Sequence, residues 1–282
     1  MDRALEAYVA VASSTADPDV QAQALARQAD VHRARCDWDL AIAAARAAQQ
    51  VAAKAKLSER VAEAIIAECN VLISQGDFAA AMPKMDEVAR SNTNPRLRAI
   101  ALQNIGSMHA QSGAPGQAER AFRESLAVLR ETGYERGEAI ALNNLGRLAL
   151  DSNDAVAALP LLERAFQLAR DVNDSELAAL AGLNLASALC IGGNVDRAQD
   201  LAMAALGYFA DCENRWREIE CLRLIGDLNL RAEDLVNASR CYELARRISE
   251  QIGSDLEARA SQERIDAVNN HRDAADRARG NM

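Results

Sequence analysis

A short turn containing Gly, Asn or Asp recurs along this chain at a nearly constant spacing, and it restricts the folds that the chain can adopt. The turns begin at residues 36, 76, 113, 153, 193 and 233, so the intervals are 40, 37, 40, 40 and 40 residues. An alanine follows five residues after the start of each turn, at Ala41, Ala81, Ala118, Ala158, Ala198 and Ala238. A period of this length indicates a stack of repeated supersecondary units.

A second set of small residues stands seven positions before each turn. These residues are Ala29, Cys69, Gly106, Gly146, Ala186 and Gly226. Two antiparallel helices joined by a tight turn approach closely when each carries a small residue at the crossing, and larger apolar side chains then fill the remaining gap. Gly, Asn and Asp suit the turn because they tolerate left-handed backbone or cap the next helix. Each repeat is therefore predicted to be a helical hairpin.

The composition supports an all-α fold. Aromatic residues make up only 4% of the chain and there are five prolines, whereas Ala, Leu, Glu and Arg are abundant. These abundant side chains lose little rotamer freedom in a helix, so they favour helix over strand. Thin layers of helices close on Ala and Leu without the bulky rings that a deep globular core needs.

The repeat resembles the tetratricopeptide repeat (TPR). The segment Leu142-Asn143-Asn144-Leu145-Gly146, with Ala158, Leu162 and Ala165, matches the family pattern, as does Leu102 to Gly106 with Ala118 and Phe122. Gln28, Glu68 and Gly182 depart from it, since the family has large apolar residues there. A period of 40 is longer than the usual one and resembles the repeats of bacterial peptide-responsive regulators and adaptor proteins. The resemblance implies an α-solenoid of antiparallel helix pairs, a TPR superhelix.

The turn positions divide the chain into six repeats with half a repeat at each end. We expect a single solenoid domain over 1–282, with an N-terminal helix at 1–15, a capping helix at 255–279, and helix pairs at 22–55, 59–91, 96–132, 136–172, 175–210 and 215–252. The first helix looks like the second helix of a missing repeat. It indicates either an excerpt of a longer protein or a terminal helix that has always been a cap.

Charge and apolar runs exclude several classes of partner. The net charge is −9, and there is no basic stripe with interleaved aromatic residues, so direct nucleic-acid binding is not expected. No apolar run of about 18 residues is present, so no membrane span is expected. Six scattered cysteines without metal-ligand spacing, and no secretory signal, favour reduced thiols in a cytoplasmic protein.

Catalytic chemistry has no support in the sequence. The three histidines, His32, His109 and His271, form no metal or nucleophile motif, and no phosphate-binding or nucleophile-elbow motif is present. We therefore expect no enzyme activity, no metal and no cofactor.

In the family that the chain resembles, the first helix of each pair lines a concave groove. Counting back from the turns gives the predicted partner-binding residues: Asn70, Gln103, Asn104, Ser107, Asn143, Asn144, Arg147, Asn184, Arg223 and Asp227. An asparagine amide donates and accepts, so a row of them suits a peptide backbone, although it also suits contacts between adjacent repeats. The two arginines suit a carboxylate of the partner, or else an intramolecular ion pair.

These observations predict a protein–protein interaction scaffold that holds a partner peptide or helix in its groove. The alternative is a TPR sensor or regulatory domain of a bacterial transcription or signalling protein, with its output domain outside this chain.

Overall fold

The computed structural model describes residues 2–91 and 94–280, with the side chains of 3–91 and 94–272. Within those ranges it contains fourteen α-helices and no strand, which confirms the predicted all-α fold class. The helices are α1 (Asp2–Ser14), α2 (Pro18–Ala34), α3 (Trp38–Lys54), α4 (Ser58–Ser74), α5 (Phe78–Ser91), α6 (Pro95–Gln111), α7 (Pro115–Glu131), α8 (Glu135–Asp151), α9 (Ala155–Asp171), α10 (Ser175–Ile191), α11 (Val195–Asp211), α12 (Arg215–Arg231), α13 (Leu235–Gln251) and α14 (Asp255–Gly280).

The turns within the helix pairs share one geometry. In the turn between α2 and α3, the N–H of Asp37 donates to the carbonyl oxygen of His32 at 2.9 Å, and Cys36 between the helices has positive φ. The same closing bond recurs from Asp154 to the carbonyl of Ala149 at 2.8 Å. This is the Schellman motif, which satisfies the last carbonyls of a helix and favours glycine at the left-handed position. Cys36 and Glu233 adopt that conformation without being glycine, at φ of 62° and 59°.

The small residues bring paired helices together as predicted. A Cβ on Gly146 would lie 2.5 Å from the side chain of Leu162, and one on Gly226 would lie 2.4 Å from the ring of Tyr242. The repeated alanines, including Ala158, have no exposed surface. Close approach therefore fixes where a first helix crosses its second helix.

The chain divides into two compact units, Met1–Ala141 and Leu142–Met282. One core of the first unit joins α4 to α7 through residues such as Met85 and Met108. One core of the second unit joins α9 to α12 through residues such as Leu162, Leu185 and Leu228. That residues 1–282 act as one solenoid domain stays a prediction.

One charged residue takes the place of an apolar one in the first unit. Glu68 is 1% exposed, and its carboxylate accepts from Arg46 Nε at 3.0 Å and Lys84 Nζ at 2.8 Å. Burial alone raises the pKa of Glu68, but the hydrogen bonds and charges of Lys84 and Arg46 outweigh burial and hold the pKa below its usual value. The departure from the family pattern at this position is thus an ion-paired link between α3, α4 and α5.

Candidate functional site

Four of the predicted partner-binding residues lie around one cleft in the second unit. Arg147, Asn184, Arg223 and Asp227 line a cavity of about 260 Å³ between α8, α10, α12 and α14. All four helices are first helices of their repeats or, for α14, the following half-repeat. Their turns hold them at a regular spacing, so the cleft is built from rigid elements rather than loops.

The cleft combines apolar and charged side chains. Its apolar lining comes from Leu150, Leu183, Ile191 and Leu224. Its charged lining contains equal numbers of acids and bases, namely Arg147, Asp151, Glu220, Arg223, Asp227 and Arg264. A surface of this kind suits an amphipathic segment better than a free anion or cation, because neither sign of charge is in excess.

The two arginines singled out from the sequence both form intramolecular ion pairs. Arg147 Nε lies 3.0 Å from Asp151 Oδ1, and the two side chains are 48% and 57% exposed. Arg223 pairs with Glu257 of α14 in a less exposed position. An exposed pair of the Arg147 type contributes little to folding, about 0–1 kcal/mol, so a partner carboxylate can replace Asp151 at small cost.

The carboxylate of Asp227 on α12 accepts a hydrogen bond from a side chain of α13, the second helix of the same repeat. The hydroxyl of buried Tyr242 donates to Asp227 Oδ1 at 2.7 Å, and Arg264 Nε lies 3.3 Å from the same oxygen. Burial, then the hydrogen bond to Asp227, raises the pKa of Tyr242 well above its ordinary value. The network fixes the position of the Asp227 carboxylate in the cleft.

Sequence reasoning missed Tyr242 and Arg264. Tyr242 stands four residues after Ala238, where the equivalent residues of two other repeats are Phe122 and Leu162. A hydroxyl at this core position was the available signal, since a buried phenol requires a hydrogen-bond partner.

The asparagines of the second unit have two different environments. Asn184 Nδ2 donates to Asn143 Oδ1 at 2.9 Å, and both residues are buried, at 5% and 4% exposed. This bond links α10 to α8, which is the repeat-to-repeat contact that the sequence left open as an alternative. Asn144 is half-buried, and its amide makes no hydrogen bond to any residue that the structure describes. Asn144 is therefore the asparagine available to a bound backbone.

The predicted residues of the first unit mostly bond to one another or to backbone. Asn104 Nδ2 donates to Asn70 Oδ1 at 3.0 Å, and buried Gln103 donates to the carbonyl oxygen of Gly137 at 3.2 Å. Ser107 Oγ donates to the carbonyl oxygen of Gln103 at 3.0 Å. The first two bonds join successive first helices within the unit, whereas the Ser107 bond lies inside α6.

The side chains that the structure describes, at residues 3–91 and 94–272, contain no group of three or more His, Cys, Asp or Glu arranged to hold a metal ion. No helix in the same ranges is long and apolar enough to cross a membrane. Burial raises the pKa of the Cys69 and Cys221 thiols to about 12, so these two thiols stay protonated and unreactive at neutral pH.

Comparisons with known proteins identify the repeat. Residues 96–171 match the family model described as tetratricopeptide repeat. A search of curated proteins finds no match. The helix pairs therefore form a TPR-like repeat, as predicted.

Solved structures share the fold at low sequence identity. BtubC from P. vanneervenii has a TM-score of 0.62 at 19% identity, covering 77% of this chain and 92% of that protein. A Rap protein complexed with competence and sporulation factor has a TM-score of 0.63 at 14% identity, covering 92% and 78%. A STAND protein with a tetratricopeptide repeat sensor, PH0952 from Pyrococcus horikoshii, has a TM-score of 0.56 at 12% identity, covering 96% and 50%.

Proposed function

We propose that this protein is a non-enzymatic interaction scaffold that binds a peptide or helix of a protein partner in the cleft between α8, α10, α12 and α14. The observation that carries the proposal is the cleft itself, in which the exposed Arg147–Asp151 ion pair lies beside an apolar lining on rigid first helices. Asn144 then hydrogen-bonds the partner's backbone, and Arg147 exchanges Asp151 for a partner carboxylate. Leu183 and Leu224 receive an apolar side chain.

The structural neighbours support a protein or peptide as the ligand. The Rap protein was solved as a complex with competence and sporulation factor. A solenoid that exposes the same kind of helix pairs offers a similar surface. No cofactor or metal has a role in this proposal.

A second candidate function is a sensor or regulatory domain that controls an output domain outside this chain. The STAND protein favours this function, because its tetratricopeptide repeat part is named as a sensor. The match covers 50% of the STAND protein's length. The two functions differ in consequence: a scaffold only joins partners, whereas a sensor changes an output activity when its ligand binds. An output domain encoded beside this solenoid in the same reading frame would favour the sensor.

The proposal is tested by photo-crosslinking in the native host. A photoreactive phenylalanine replaces Asn144, which lies about one turn of α8 before Arg147 of the cleft, and in a control variant it replaces Met203, which is 50% exposed on the second helix α11. We expect a discrete protein adduct from position 144 and not from position 203. Equal adducts from both positions, or none from position 144, would contradict the cleft assignment.

The role of charge is tested with two matched arginines. Arg147 and Arg197 are 48% and 49% exposed, and each is ion-paired to a carboxylate, at 3.0 Å and 2.7 Å. Only Arg147 lines the cleft. Arg147→Glu is expected to abolish the adduct formed from position 144, whereas Arg197→Glu leaves it unchanged.

A further inference from the structure

A second, larger cavity lies in the first unit, on the side of α6 that faces the second helices. It has a volume of about 630 Å³ and lies between α5 and α7 with α6 as its floor. The α6 side chains that line it are Arg98, Leu102, Ile105 and His109, which follow one stripe of the helix. This cavity is called the trough below. None of the predicted groove residues lines it, and it shares no residue with the cleft in the second unit.

The trough is open because two positions that are filled in another repeat are alanine here. Counted from the turns, Ala89 and Ala121 correspond to Phe166 and Leu201 of the second unit. There, a Cβ placed on Gly182 would lie 3.3 Å from the Phe166 ring and 3.9 Å from Leu201, so those side chains occupy the space between their helices. In the first unit Leu102 stands at the position of Gly182 and takes part of that space as the apolar floor of the trough, while the space above it, between Ala89 and Ala121, is open.

The rim of the trough is basic, although the chain is acidic overall. It carries Arg90, Arg98, Arg120 and His109 against two carboxylates. Arg98 pairs with Glu124 at 2.8 Å and Arg90 with Asp86 at 3.2 Å.

Arg120 is exposed and has no ion-pair or hydrogen-bond partner among the described residues. At the corresponding positions of the second unit, the three arginines are replaced by Gln167, Ala178 and Asp200. The basic rim is therefore particular to this repeat, and it leaves positive charge unneutralised in a chain of net charge −9.

We propose that this trough binds an acidic peptide segment of a protein partner, with a large apolar side chain of that segment inserted between Ala89 and Ala121. The carboxylates of the segment pair with Arg120 and compete with Glu124 and Asp86 for Arg98 and Arg90. The twelve-residue stripe from Arg98 to His109 spans about 16 Å of helix, which matches an extended peptide of about five residues. A long open trough accommodates a peptide better than a compact metabolite, which needs enclosure on most sides.

The test is selection from a library of displayed heptapeptides against the wild-type protein and three variants. Ala121→Leu fills the trough with the side chain found at the corresponding position in the second unit, and it leaves the charge unchanged. Arg120→Glu reverses the unpaired charge on the rim. Arg123→Glu is the matched control, since Arg123 is exposed on the same helix, is paired to Glu119 at 2.7 Å and does not line the trough.

We expect peptides enriched on the wild type to contain two or more acidic residues beside a Leu, Phe or Trp. Their affinity should fall at least tenfold in Ala121→Leu and in Arg120→Glu and stay unchanged in Arg123→Glu. Circular dichroism of each variant checks that the helices are intact.

No enrichment of acidic peptides, or equal affinity in the wild type and Ala121→Leu, would overturn the proposal. Equal binding of Lys-containing and Asp-containing versions of one selected peptide would also overturn it. Displacement of the selected peptides by free inorganic phosphate at millimolar concentration would assign the trough to a small anion instead of a peptide.

Discussion

The buried amide pair between α8 and α10 leads to the sharpest stability prediction. Asn184 and Asn143 are 5% and 4% exposed and share one hydrogen bond of 2.9 Å. Replacing Asn184 with Ala removes the donor and leaves Asn143 Oδ1 without that partner in a buried site. An unsatisfied buried polar group costs about 1–3 kcal/mol. We therefore expect Asn184→Ala to lower the free energy of unfolding by about 2 kcal/mol.

The neighbouring asparagine is the control. Asn144 is half-buried and makes no hydrogen bond to a described residue, so Asn144→Ala should change stability by no more than about 0.5 kcal/mol. At about 2–4 °C per kcal/mol for a chain of this size, Asn184→Ala should lower the melting temperature by about 4–8 °C and Asn144→Ala by less than about 2 °C. Urea and thermal unfolding followed by far-UV circular dichroism measure both.

A double-mutant cycle isolates the bond itself. The cycle compares Asn143→Leu, Asn184→Leu and the double variant, in which donor and acceptor are removed together, and paired apolar replacements are often nearly neutral. The double variant should therefore be more stable than the sum of the single variants by about 1–2 kcal/mol. Strictly additive effects, or equal melting temperatures for Asn184→Ala and Asn144→Ala, would show that this asparagine does not join the repeats.

Two further predictions concern packing and buried charge. Gly226→Ala places a methyl group 2.4 Å from the ring of Tyr242, which cannot move because it is buried and hydrogen-bonded. The free energy of unfolding should therefore fall by about 1–2 kcal/mol, which is an overpacking cost of up to about 3 kcal/mol less a helix-propensity gain of about 1 kcal/mol. Gly182→Ala, whose new methyl group meets a ring at 3.3 Å, should instead be neutral or stabilising, and a reversed order of the two variants in urea denaturation would contradict this packing. Glu68→Gln should destabilise the protein at neutral pH, and its difference from the wild type should shrink as the pH falls below the ordinary carboxyl pKa of 4.5, because a lowered folded-state pKa gives stability that is lost on acidification. A difference that is independent of pH would show that Glu68 is not ionised in the folded protein.

Much of the fold was predictable because it depends on short-range patterns. The turn at Asn153-Asp154 and the alanine at Ala158 fix a helix end, a helix start and a close crossing, and each follows from local chemistry. Even Glu233, a poor residue for a left-handed position, lies in the turn, because its flanking residues carry the helical pattern.

The site was less predictable because it depends on how successive helix pairs rotate against each other. Rows counted from the turns place Asn144 and Asn184 at the same repeat position, yet Asn184 bonds to Asn143, one residue away. That one-residue offset arises from packing between repeats, which spacing alone does not encode. The link from Tyr242 to Asp227 likewise joins two helix layers. The trough in the first unit follows from Ala89 and Ala121, whose small size has meaning only when the neighbouring helices are known.

The claim that the cleft in the second unit holds a protein partner is tested most directly by one affinity comparison. The partner crosslinked from position 144 is titrated calorimetrically into the wild type, Arg147→Glu and Arg197→Glu. We expect Arg147→Glu to weaken binding by at least about tenfold, or about 1.4 kcal/mol, and Arg197→Glu to leave it unchanged. Equal affinity in all three proteins, or equal weakening in both variants, would contradict the assignment of the cleft as the binding site.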